Sequence, residues 1–253
     1  MGGVVMKIPL DASPEEVLSE LPETKQVVNA HFTPARHSPT QRALLAVRRR
    51  KDITWRLVLR NLGWRRLPDE LLGLGDCIDS LDLAFNRLQA VPCFPSSLVR
   101  LVLDGNPLCR ISLKLARLEH LSLNNCSLVS VELATKSLHH LSLNDNPLGK
   151  FPSTQNLTNL THLCLSSCQL TSVPVEVDKL VKLVVLVLDS NLLTEFPAVL
   201  CDMPGLVQLD LTRNQINSLP PTIVQMTGLR RLFVSDVEQL ACPDPMPLLL
   251  SLN

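Results

Sequence analysis

The stretch Leu206–Pro220, LVQLDLTRNQINSLP, constrains the rest of this chain more than any other. Leucines at 206, 209 and 211 are followed by Asn214, Ile216 and the pair Leu219-Pro220, and the same spacing recurs along the sequence. The second leucine of each Leu-x-Leu falls at Leu59, Leu83, Leu103, Leu123, Leu143, Leu165, Leu188 and Leu211, with Val234 as a degenerate ninth. The intervals are 24, 20, 20, 20, 22, 23, 23 and 23 residues. Self-similarity at such a period marks a repeat architecture, because each unit is one supersecondary element that cannot bury its apolar face alone.

Leu-x-Leu alternates apolar and polar positions with period two, which predicts a short half-buried strand in every unit. Stacking the units makes one parallel sheet over one continuous core. The Asn at 86, 106, 146, 191 and 214 is expected to turn the chain and spend its amide on backbone groups of adjacent rungs. Cys126 and Cys168 occupy that position in two rungs, and the end rungs have Leu62 and Val237 there.

Written out as L-x-x-L-x-L-x-x-N-x-[LI]-x-x-L-P, the unit resembles the leucine-rich repeat family, intracellular type, with mixed 20- and 23-residue repeats. The resemblance covers roughly residues 53 to 243. It implies an α/β fold, a horseshoe-shaped solenoid with a concave parallel sheet of about nine rungs. It also implies that cysteine is tolerated at the Asn position, and that no cofactor is needed.

Four segments follow. Residues 1–37 form an arm outside the repeats, in which Ser13-Pro14-Glu15-Glu16 predicts a helix start running toward Leu21. Residues 38–52 predict a capping helix, opened by Ser38-Pro39 and laying Leu44, Leu45 and Val47 over the first rung. Residues 53–243 are the solenoid, and 244–253 form an apolar C-terminal cap after a run of alternating prolines that ends strand and helix alike. The string Leu67-Pro-Asp-Glu-Leu-Leu also resembles the start of an F-box. The next strand arrives too soon for a three-helix domain, so the repeat reading holds. In the 20-residue rungs the outer segments are too short for more than a turn of helix and are expected to be extended. From Pro174 they lengthen enough for a helical turn or two. Leu67, Val91, Ile111, Val131, Phe151, Val173, Phe196 and Leu219 are expected to stack as a spine.

The chain is neutral overall, with 24 basic and 24 acidic residues, so it has no general bias toward polyanions. Its longest uncharged apolar run, Leu183–Leu188, is far short of the ~20 residues that span a bilayer. Eight cysteines are scattered along the repeats rather than clustered into end caps, and Met1–Leu10 lacks a signal-peptide pattern. Reduced thiols inside a cell, in cytoplasm, nucleus or the interior of an organelle, are the expectation, with no secretion and no membrane insertion.

The outward positions of the sheet can be read directly. Before each Leu-x-Leu stand Arg56, Ser80, Arg100, His120, His140, His162, Val185, Gln208 and Arg231, so three successive rungs place His in one row. Between the leucines lie, among others, Asp82, Ser122, Ser142, Cys164 and Asp210. After them come Arg60, Asp104, Asn124, Asn144, Ser166 and Asp189. The expected partner-binding stripe is Arg100, His120, Asn124, His140, Asn144, His162, Ser166, Asp189 and Asp210. Parallel strands aim His120, His140 and His162 the same way, whereas tetrahedral zinc needs convergent ligands, so no metal is assigned. His162 and Cys164 share a face by strand geometry alone, with no orienting acid or oxyanion device. No phosphate-binding loop, Gly-x-Ser-x-Gly elbow or His-Glu-x-x-His motif occurs. No catalytic residue is assigned.

Charge is uneven. Between Arg42 and Arg66 stand nine Lys or Arg and one acid, whereas residues 67–253 contain 12 basic and 18 acidic residues. Within this belt, Arg48, Arg49, Arg50, Lys51, Arg56, Arg60, Arg65 and Arg66 offer a seat for RNA phosphate or an acidic protein. The sequence therefore predicts a non-enzymatic scaffold in a larger assembly, binding a protein on its concave face. The alternative is a structural subunit of a ribonucleoprotein, such as a ribosome, touching RNA through the belt.

Overall fold

The structure, a computed structural model, describes residues 27–29, 55–73 and 75–234. The helix expected from Ser13, the capping helix 38–52, Arg42–Lys51, Val237 and the C-terminal cap 244–253 lie outside the described residues.

Among the described residues, ten strands form one parallel sheet. Nine are the rungs: β2 (Trp55–Val58), β3 (Ile78–Asp82), β4 (Arg100–Val102), β6 (His120–Ser122), β8 (His140–Ser142), β9 (His162–Cys164), β10 (Val185–Val187), β11 (Gln208–Leu211) and β12 (Arg231–Val234). The tenth, β1 (Val27–Asn29), pairs in parallel with β2 and comes from the arm, where no strand was expected. Three residues carry no repeat period, so nothing in the pattern marks them. Their place at the sheet edge meets the hydrogen-bonding groups that a solenoid end would otherwise leave open. One residue of the 24-residue first interval is taken up by a bulge, since Trp55 opposes Ile78 while Arg56 opposes Ser80.

The leucines point inward as the alternation requires. Leu121, Leu123, Leu141, Leu143, Leu163 and Leu165 are all buried in one core that runs the length of the sheet. The spine is present with two grades of burial. Leu67, Ile111, Val131, Phe196 and Leu219 are buried, while Val91, Phe151 and Val173 are half-buried against the same core.

Each rung leaves its strand through a residue with positive φ two places after the second leucine: Asn61, Phe85, Gly105, Asn125, Asp145, Ser167, Ser190 and Arg213, at 52–66°. That turn aims the next side chain, the repeat Asn, back beneath the sheet. Asn146 donates to the carbonyls of Leu123, Leu143 and Asn144 at 2.8, 2.7 and 3.1 Å and accepts from the amides of Cys126 and Leu128 at 2.9 Å each. Asn191 repeats the arrangement between Leu165, Leu188 and Asp189 on one side and Cys168 and Leu170 on the other.

Cysteine takes over only the donating half of this task. The Cys126 thiol reaches the Leu103 carbonyl at 3.2 Å and the Cys168 thiol the Leu143 carbonyl at 3.2 Å. A thiol cannot replace the amide oxygen, and the backbone supplies the missing acceptor. The Cys126 carbonyl receives the amides of Leu108 and Cys109, and the Cys168 carbonyl that of Gly149. These rungs carry a second positive φ immediately after the cysteine, at Ser127 and Gln169. Burial pushes both thiols up to about 11, so they stay protonated and able to donate.

On the convex side the short rungs are extended, as expected, and two of them also pair: β5 (Arg110–Leu113) and β7 (Ser130–Leu133) make a small parallel sheet. The long rungs instead carry 3-10 turns at Val175–Lys179, Ala198–Asp202 and Pro221–Gln225. The first rung has a one-turn helix, α1 (Asp69–Leu72).

Gly105 is the one glycine in the positive-φ row, and a Cβ there would sit 2.5 Å from Cδ1 of Phe85, which lies over it from the preceding rung. Gly105→Ala is expected to cost about 1–2 kcal/mol in a denaturant titration. In a Phe85→Ala background the steric part should vanish, leaving about 1 kcal/mol of backbone strain.

Candidate functional site

The sheet register settles which outward side chains are neighbours. Arg100 opposes His120, His120 opposes His140, and His140 opposes His162, which in turn opposes Val185. The expected row is therefore physically continuous. The His120 and His140 rings stack with centroids 4.4 Å apart and planes 13° apart, and His140 and His162 at 4.2 Å and 23°. These spacings are close to the strand separation of ~4.8 Å, so the sheet itself holds the rings face to face.

Thr161 fixes the last ring. Its hydroxyl lies 2.9 Å from the His139 carbonyl, to which it can donate, and 2.9 Å from Nδ1 of His162. An Nδ1–H tautomer of His162 satisfies both contacts at once. Desolvation lowers the pKa of His120 and of His140 below the ordinary imidazole value. The Arg100 cation and the neighbouring histidines push in the same direction, against Glu119 at His120. Arg100, Val102, Ser122, Ser142 and Cys164 join the three rings around an open hollow of about 280 Å³.

The polar column beside this row is spoken for by the fold. Asp104 accepts from the Ser122 hydroxyl at 2.7 Å and the Asn124 amide at 2.8 Å. Asn124 repeats this one rung on with Ser142 and Asn144, at 2.7 and 2.9 Å. Asn144 accepts from the Ser166 amide, and the Ser166 hydroxyl donates to Asp189. Asp210 accepts from both the amide and hydroxyl of Thr212. Asn124, Asn144, Ser166 and Asp189, grouped in sequence with the histidines, are thus half-buried members of a ladder that locks one rung to the next, while Asp210, also half-buried, is bonded within its own rung. The period placed them correctly. Only the side-chain rotamers reveal that each is already hydrogen-bonded within the chain.

The basic belt divides. Arg60 binds Asp82 through Nε at 2.7 Å, and that bond holds its guanidinium above its ordinary pKa. Arg56 is exposed, with Nε 4.0 Å from Asp79. Arg65 and Arg66 are exposed, and Arg48, Arg49, Arg50 and Lys51 lie outside the described residues.

Chemistry at the hollow is limited by the same geometry. Stacked rings on parallel strands do not converge, and among the described residues no group of three or more His, Cys, Asp or Glu could hold a metal ion. Burial, reinforced by Asp189, raises the pKa of Cys164, which disfavours the thiolate that a nucleophile requires. The seven described cysteines are unpaired. No helix among the described residues is long and apolar enough to cross a membrane.

The leucine-rich-repeat family matches residues 158–216. No curated protein matches the chain. Among solved structures, a leucine-rich-repeat protein of Leptospira interrogans is similar at 22% identity and a TM-score of 0.62, over 88% of this chain and 70% of that one. TLR13, solved in a complex with ssRNA13, is similar at 20% identity and a TM-score of 0.72. That similarity covers 91% of this chain, which spans 34% of TLR13. With nine rung strands in register, the matched repeats and two solved structures of like architecture, this chain has the leucine-rich-repeat fold.

Proposed function

We propose that the protein is a non-enzymatic scaffold, a subunit of a larger intracellular assembly that binds a protein partner across its concave sheet. The fold is generally a protein-interaction module. The observation that carries the reading here is the row of Arg100 and three stacked histidines, held at fixed spacing over the hollow. Rigid side chains on a strand scaffold lose little freedom on binding, which favours recognition without chemistry. The two buried thiols act as hydrogen-bond donors to the rung carbonyls, a task that needs them reduced and so fits a reducing compartment.

Replacing His120, His140 and His162 together with Ala is expected to release the partner that co-purifies with the full chain, while the cooperative melting transition is retained. The complex should resist nuclease and moderate salt. If the basic belt instead seats RNA, the triple variant keeps its partner, and affinity falls with salt by a log–log slope near −0.7 per phosphate contacted on single strands. That result would replace the scaffold reading with the ribonucleoprotein one.

A further inference from the structure

We propose, building on the concave-face reading above, that the hollow beside Arg100 and the histidine row receives a single carboxylate, the side chain of an aspartate or glutamate on the partner protein. The reason is an imbalance of donors and acceptors. No carboxylate lines the hollow, and the acidic side chains elsewhere on this face already accept from within the chain. Asp82 is taken by Arg60 and the Ala84 amide, Asp104 by Ser122 and Asn124, Asp189 by Ser166 and Ser190, and Asp210 by Thr212. The donors are not filled. The Arg100 guanidinium is exposed and has no side-chain acceptor among the described residues, and neither have the ring nitrogens of His120 and His140. A site with free donors and no carboxylate of its own recognises an acceptor-only group, which an ionised carboxylate is.

Charge chooses between one carboxylate and a polyanion. The outward columns carry Arg56, Arg60, Arg100 and Arg231 against Asp82, Asp104, Asp189 and Asp210, and these cancel. A nucleic-acid backbone gains little on a face without net positive field, because its binding rests on many phosphate neutralisations. A single carboxylate needs only Arg100 and the rings beside it. Val102, 4% exposed although it stands on the outward face, supplies an apolar floor for the methylenes of the incoming side chain.

The same placement makes binding depend on pH. Arg100 on β4, Glu119 and His139 beside the strands, and His162 on β9 are the charged and titratable groups that act on His120 and His140. A docked carboxylate raises the pKa of both rings, so the complex takes up protons and tightens as pH falls below neutrality. Above that range the rings are neutral and Arg100 alone remains charged.

The test uses the full chain with ¹³C-labelled histidine and, as probe, an acetylated and amidated pentapeptide with one central Glu among Ala and Gly. The imidazole signals of His120 and His140 are expected to move on titration, and their pKa values to rise. Replacing the peptide Glu by Gln, or Arg100→Gln in a protein whose fold is unchanged, should weaken binding about tenfold or more, the loss of a charged hydrogen bond. Equal responses to the Glu and Gln peptides would overturn the assignment. So would rings that respond to a ten-residue oligouridylate and ignore the Glu peptide. If the Glu peptide leaves the rings unmoved while the triple His variant still loses its protein partner, the carboxylate falls and the scaffold reading stands.

Discussion

Asn146→Ala is expected to destabilise the protein by about 3–5 kcal/mol in chemical denaturation, although the side chain removed is polar and small. Asn146 is 1% exposed and makes five hydrogen bonds to backbone groups of its own and the preceding rung. Alanine leaves the amides of Cys126 and Leu128 and the carbonyl of Leu123 in the core without that partner. Each orphaned buried group costs about 1–3 kcal/mol. Asn146→Cys should cost less, about 1–3 kcal/mol, because a thiol restores donation while the acceptor stays missing. It would recover further only if the peptide after it turned as it does after Cys126 and Cys168. Equal midpoints for the Ala and Cys variants would show that donation by the thiol contributes nothing.

Leu143→Ala, in the same rung, should cost about 2–5 kcal/mol, since the side chain is fully buried mid-core and both neighbouring rungs limit collapse of the cavity. Its neighbour Ser142 faces outward, and position alone predicts a near-neutral Ser142→Ala. The structure changes that expectation, because the Ser142 hydroxyl donates to Oδ1 of Asn124 at 2.7 Å. A loss of about 1 kcal/mol is expected instead. A Ser142→Ala loss as large as that of Leu143→Ala would mean that the inward and outward faces have been exchanged.

The repeat made most of the architecture legible. A period-two strand with leucine at alternate positions can bury only one face, so the register of all nine rungs, the inward leucines and the row Arg100, His120, His140 and His162 follow from counting. The length of each outer segment likewise foretold extended chain in the short rungs and turns of helix in the long ones.

Three matters were decided only in three dimensions. Val27–Asn29 joins the sheet because a neighbouring edge is open there, and a pairing so remote from the repeats leaves no period to find. Cys126 and Cys168 appear in the sequence as bare substitutions. Their cost is met by a backbone carbonyl turned toward the preceding rung, which only φ angles and distances disclose. Lastly, the pattern treats every outward polar residue alike, yet Asn124, Asn144, Ser166, Asp189 and Asp210 are engaged within the chain while Arg100, His120 and His140 are left with donors to spare. Periodicity assigns a side chain to a face because backbone geometry alone fixes that. Which of those side chains remains free to bind depends on rotamers and neighbours contributed by other rungs, and these exist only once the rungs have stacked.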